Sequence, residues 1–70
     1  MTRDELLAEL ASILEEPVEA TGILSSYKNW DSTSALGVIA YIEGTLGVEL
    51  SRDAVAGCKT VADLLALAKL

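Results

Sequence analysis

An all-α fold is expected of this chain: a small bundle of three main helices plus one short helix, with a long loop between the first and second helices. Three observations predict it. Apolar residues recur at three- and four-residue spacing in separate stretches, those stretches open on capping signals, and nothing along the chain reads as a strand or an internal repeat. Residues 1–70 make one domain, near the size at which a single core only just offsets chain entropy.

The first helix opens on Thr2-Arg3-Asp4-Glu5, a capping box with Thr2 as N-cap and Glu5 reaching back to its amide. Leu6, Leu7, Leu10, Ile13 and Leu14 follow at helical spacing. Glu15-Glu16-Pro17 ends the helix, because a residue before proline is pushed out of the helical region. From Glu16 to Trp30 no helical period holds. Gly22, Ser25, Ser26, Lys28 and Asn29 are loop residues there, while Val18, Ile23, Leu24, Tyr27 and Trp30 are expected to pin the loop across the open end of the bundle. Loops of this length in a compact domain tend to be functional.

The second helix begins at Asp31 or Ser32. Leu36, Ile39, Ile42 and Leu46 form its expected core stripe, thickened by Ala35 and Val38, and Gly47 stops it. Ser34, Gly37, Tyr41 and Gly44 are expected on the other face. Two interior glycines cost roughly 1 kcal/mol each relative to alanine. They mark either a permissive surface or a place where a partner's backbone approaches closely. Ser51 caps a short turn through Val55-Ala56 that Gly57 stops. Thr60-Val61-Ala62-Asp63 is a second box-like start, opening a last helix that carries Val61, Leu64, Leu65 and Ala68.

Composition excludes more than it assigns. There is no histidine, hence no Ser-His-Asp triad and no imidazole base. With one cysteine, a Cys/His metal site and a disulfide within the monomer are equally ruled out. Gly44-Thr45-Leu46-Gly47 lacks the lysine of a phosphate-binding loop, and Ala35, Leu36 and Gly37 break any calcium-loop pattern after Asp31-Ser32-Thr33-Ser34. Eleven acids against five bases, a net charge of −6, oppose nucleic-acid binding and favour partners with basic patches. No run approaches a membrane span, and the acids at Asp4 and Glu5 interrupt any signal peptide. A soluble, cytoplasmic monomer that is not itself an enzyme is expected. Cys58 lies beside Lys59 and a helix start, yet without a histidine or second cysteine it is expected to be a semi-buried structural residue.

What remains is borrowed chemistry, and "NWDSTSAL" (Asn29 to Leu36) is where it would attach. Trp30 is expected to anchor the end of the loop and Asp31 to help start the helix. Ser32 can point its hydroxyl outwards, where helix N-terminal amides favour a new negative charge on an esterified phosphate. Ser34 is its rival, with a hydroxyl expected to face solvent or bond locally.

The run "WDSTSALGVIAYIEGTLGVEL" and the later "TVADLLALA" resemble acyl and peptidyl carrier proteins, whose usual signature is Asp-Ser-Leu at the start of the second helix. The resemblance covers nearly the whole chain. It implies 4′-phosphopantetheine, taken from coenzyme A by a phosphopantetheinyl transferase, on Ser32, with Asp31 as the adjacent motif acid. The arm's thiol would hold acyl or aminoacyl groups as thioesters. Implied partners are an acyl- or aminoacyl-loading enzyme and downstream ketosynthases, acyltransferases or condensation enzymes. Thr33 stands where leucine is usual, and Ser34, Gly37, Tyr41 and Gly44 replace the usual acids of the partner-facing side, with Glu43 left. These five positions are the expected partner contacts, through shape more than charge. The departures move the expected pathway from primary fatty-acid synthesis to polyketide, nonribosomal-peptide or related specialised synthesis. The chain reads as freestanding. The alternatives are a primary fatty-acid carrier, a carrier that is never loaded, and a plain helical interaction module.

Overall fold

Each helix begins where a side chain can accept an amide that has no partner in its own turn. In the computed structural model, which describes residues 1–70, α1 spans Arg3–Leu14, α2 Ser32–Leu46, α3 Arg52–Ala56 and α4 Val61–Leu67. Thr2 and Glu5 form the expected box at α1: the Glu5 N–H donates to Thr2 Oγ1 at 3.1 Å and the Thr2 N–H to Glu5 Oε1 at 2.9 Å. Ser51 Oγ accepts the Ala54 N–H at 3.0 Å to start α3. At α4 the Asp63 N–H donates to Thr60 Oγ1 at 3.3 Å, and Asp63 Oδ2 accepts from Thr60 and Lys59. The ends follow suit. Glu15 turns α1 off in the left-handed region (φ 58°), two residues before Pro17, and Gly47 does so for α2 (φ 69°). None of these helices is long and apolar enough to cross a membrane.

One aliphatic core joins the helices. Leu6 and Leu10 enter it from α1, Val38, Ile39 and Ile42 from α2, Val55 from α3, and Val61, Leu64 and Leu65 from α4. Leu24 reaches in from the loop. The molecule is only 17 Å across its thinnest direction, about two helix layers, so each helix has one face to bury and one in water.

The long loop is held by backbone and side-chain hydrogen bonds as much as by apolar contacts. It contains a 3₁₀ turn at Leu24–Ser26. The Val61 and Ala62 N–H groups donate to the carbonyls of Gly22 and Ala20, both at 2.9 Å, and the Leu24 N–H donates to Lys59. The loop therefore takes up the first two amides of α4, forming an isolated bridge between Ile23 and Thr60. Gly22 fits this approach because a side chain there would collide with the Tyr27 hydroxyl. Further on, Asn29 Nδ2 donates to the Leu14 carbonyl at 3.0 Å, closing the end of α1. Leu24, Val18, Tyr27 and Trp30 pack on the core as expected. Ile23 does not: at 56% exposure it points outwards, because pairing its backbone with Thr60 turns its side chain away.

Three expectations for α2 are corrected by the structure. Leu36 was placed in the core stripe and is 41% exposed, whereas Ser34 was placed on the outer face and is buried. The reason is angular: at 100° per residue, Leu36 and Val38 lie about 200° apart, and Val38 with Ile42 wins the core. Ser34 shares the Val38–Ile42 side. Tyr41, also expected on the outer face, is half-buried and packs on the core.

The Asp63 cap makes a pH prediction. Backbone N–H groups of Lys59 and then Thr60 hold its carboxyl below the ordinary aspartate range. A pKa lowered by folding means that the anion favours the folded state. Its contribution is complete above the ordinary aspartate range and is lost as pH falls through the folded value. Asp63→Ala is expected to lower Tm near neutral pH, and the gap from the parent is expected to narrow on acidification through that range. A gap independent of pH would mean that the carboxylate's charge plays no part.

Candidate functional site

The junction of loop and α2 separates three neighbouring hydroxyls into different chemical situations. Asp31 is extended (φ −152°) and is the N-cap: its Oδ1 accepts the Ser34 N–H at 2.9 Å. Ser34 Oγ accepts the Asp31 N–H at 2.9 Å and lies 3.0 Å from the Asp31 carbonyl, to which it donates. Ser34 is thus a structural member of the capping box, buried and with its hydroxyl fully engaged. Of the two outcomes expected for it, local bonding is the one observed. It cannot present a side chain to a partner.

Ser32 and Thr33 are both exposed. Their hydroxyls enter no hydrogen bond, and their backbone N–H groups have no protein acceptor, unlike the two loop-capped amides at the start of α4. Ser32 is the first residue of α2 and differs from Thr33 in one further respect. It lies on the wall of an open cleft of about 390 Å³ where α2 packs against α3. Trp30, Ala35, Leu36, Ile39 and Ala56 give the cleft its apolar lining, and Asp31 and Arg52 share its polar edge with Ser32. Leu36 is exposed because it forms this wall. A second, more open depression at the far end of α2 carries Glu43, whose Oε2 is already occupied by the Leu50 N–H at 3.0 Å.

Trp30 anchors the junction without plugging the core. Its N–H donates to the Tyr27 carbonyl at 3.2 Å, and its half-buried ring packs on the core with one side on the cleft. Full burial would make truncation cost about 3 kcal/mol or more; half burial brings the expectation for Trp30→Ala to about 2 kcal/mol. Chemical denaturation at constant m-value measures it. A loss of about 3 kcal/mol or more would place the ring wholly inside.

Cys58 is half-buried, with its Sγ donating to the Ala54 carbonyl at 3.4 Å. Burial, and secondarily the charge of Asp63, push the thiol pKa up. It is a neutral structural thiol; Lys59 and the α4 start do not activate it. No group of three His, Cys, Asp or Glu side chains is placed to hold a metal ion. On the outer side of α2, a Cβ added at Gly37 or Gly44 would meet nothing within 4 Å, so that face is open down to the backbone.

Sequence reasoning missed Arg52 and Ala56 as neighbours of Ser32. Ala56 carries no signal of its own. Arg52 carries a weak one, a base at the first position of a helix, where the dipole favours acids.

Fold and site together define a class: a small helical domain that offers an unencumbered hydroxyl at a helix start, on the edge of an open cleft. The family model described as "Phosphopantetheine attachment site" matches residues 4–68, and the chain belongs to this family of acyl and peptidyl carrier proteins. No curated protein and no solved structure matches the chain. Membership makes the chain a non-catalytic carrier that tethers thioesters on a covalently attached 4′-phosphopantetheine. It also implies dealings with a phosphopantetheinyl transferase and with the enzymes that load and use the carrier.

Proposed function

We propose that the arm is attached at Ser32 and that the carrier serves a specialised pathway, handling polyketide, aminoacyl or related intermediates in a cytoplasmic setting. The observation that carries the attachment is the state of the three hydroxyls: Ser34 is consumed by the cap, Thr33 lies off the cleft, and Ser32 is exposed, unbonded and on the cleft wall. The residues fit the group. The free N–H groups of Ser32 and Thr33 favour an anion there, and the exposed side chain can be esterified without disturbing the core. On loading, the Ser32 Oγ–H bond breaks and an Oγ–P bond forms to the phosphate bearing pantetheine. The bond from that phosphate to the nucleotide half of coenzyme A breaks, its electron pair leaving with that half, and the hydroxyl proton passes to a base of the transferase.

Once bound, the group supplies a thiol on a flexible arm. The protein contributes a fixed point of attachment and so raises the local concentration of its cargo at successive active sites. Thr33, Gly37 and Gly44 form the proposed partner face, open and without acids, with Tyr41 supporting it from the core side. A face of this kind selects partners by close approach more than by charge, which favours the specialised pathway over primary fatty-acid synthesis. Incubation with coenzyme A, Mg²⁺ and a broad-specificity transferase, followed by intact mass, is expected to give a single adduct. No adduct with any competent transferase would leave a plain helical interaction module.

A further inference from the structure

We propose that Arg52 is a positioning residue for the phosphodiester joining Ser32 to its arm, turning the first part of the arm along the α2–α3 cleft instead of out into water. The inference rests on the attachment proposed for Ser32. Ser32 and Arg52 line the same cleft from different helices, one at the first position of α2 and the other at the first position of α3. A phosphate on Ser32 Oγ is one bond from that wall, so its place is set by the covalent link, unlike that of any cargo at the arm's far end.

Charge supplies the second argument. Asp31 stands on the same edge of the cleft, and the chain already has a net charge of −6. A phosphodiester there adds a like charge beside a carboxylate that is committed to the Ser34 N–H and cannot move away. Arg52 is the one base that lines the cleft. Its guanidinium is exposed and donates to no protein acceptor, whereas Arg3 spends its Nη1 on the Leu70 carbonyl. Position one of a helix gives a cation no help from the helix dipole, so local structure does not account for the residue. A planar guanidinium can pair two phosphate oxygens at once. The apolar lining of Trp30, Leu36, Ile39 and Ala56 lies beside it to receive the methylated carbons of the arm.

The test compares apo and holo protein by NMR, each checked by intact mass, following the Arg52 Nε–H and Trp30 indole N–H signals. In the parent both are expected to move on loading, and both movements to shrink at high salt. In R52Q the Trp30 movement is expected to be at least about two-fold smaller, and in R52K to be retained, since a point charge still attracts the phosphate. Because Arg52 is exposed and makes no internal bond, both variants are expected to fold as the parent does. Unmoved signals in a verified holo parent, or a Trp30 movement undiminished in R52Q, would overturn the role of Arg52 alone. No adduct at all would overturn it together with the carrier attachment.

Discussion

Ser32→Ala is expected to take up no phosphopantetheine under conditions that load the parent completely, and to lose no stability in doing so. The side chain is exposed and enters no hydrogen bond, so removing its oxygen leaves the fold within about 0.5 kcal/mol of the parent. The proposed attachment, by contrast, has no substitute, because it is that oxygen which would bond to phosphorus. Ser34→Ala is expected to show the reverse. Its hydroxyl both accepts from the Asp31 N–H and donates to the Asp31 carbonyl, so its loss weakens the start of α2 by about 1 kcal/mol while loading persists. Intact mass and a denaturation curve on the two variants separate the roles. Loading that survives in Ser32→Ala and disappears in Ser34→Ala would exchange them and refute the assignment drawn from the cap geometry.

Local signals carried most of this fold. Thr2 with Glu5 and Thr60 with Asp63 are boxes that a reader of the sequence can recognise, because both partners lie within one helical turn and need no tertiary context. Val61, Leu64, Leu65 and Ala68 were legible for the same reason: one short helix has one apolar side. Legibility failed where two long-range choices compete. On α2 nearly every side is apolar, so Leu36 and Val38 were equally good candidates for the core until α1 and α3 selected a direction. Ser34 hid because a serine three residues after an aspartate closes a box with its own hydroxyl, where glutamate is the usual partner. The pinning of the loop to α4 depends on backbone groups of Ala20, Gly22 and Lys59, which no side-chain pattern reports. For the candidate site, the hydroxyl and its acid neighbour could be read from the sequence, whereas the cleft could not, since Arg52 and Ala56 reach it only through the packing of α3 on α2.

A pair of alanine substitutions on α2 gives the other large effect. Ile42 is 0% exposed and Leu36 is 41% exposed, although periodicity alone set them on one stripe. Truncating a fully buried aliphatic side chain removes its transfer free energy and leaves a cavity, together about 2–5 kcal/mol. A chain of this size has a total stability on the order of 4–10 kcal/mol, at 0.05–0.15 kcal/mol per residue. Ile42→Ala is therefore expected to remove a large share of it and to populate the unfolded state visibly at ambient temperature. Leu36→Ala takes away a wall of an open cleft that water already reaches, leaves no closed void, and is expected to cost less than about 1 kcal/mol. Urea midpoints at unchanged m-value measure both. Equal losses would mean that Leu36 is a core residue after all and that the cleft beside Ser32 is closed in solution. The unequal result would assign the two sides of one helix different parts: the Val38–Ile42 side holds the molecule together, and the Leu36 side stays open beside Ser32.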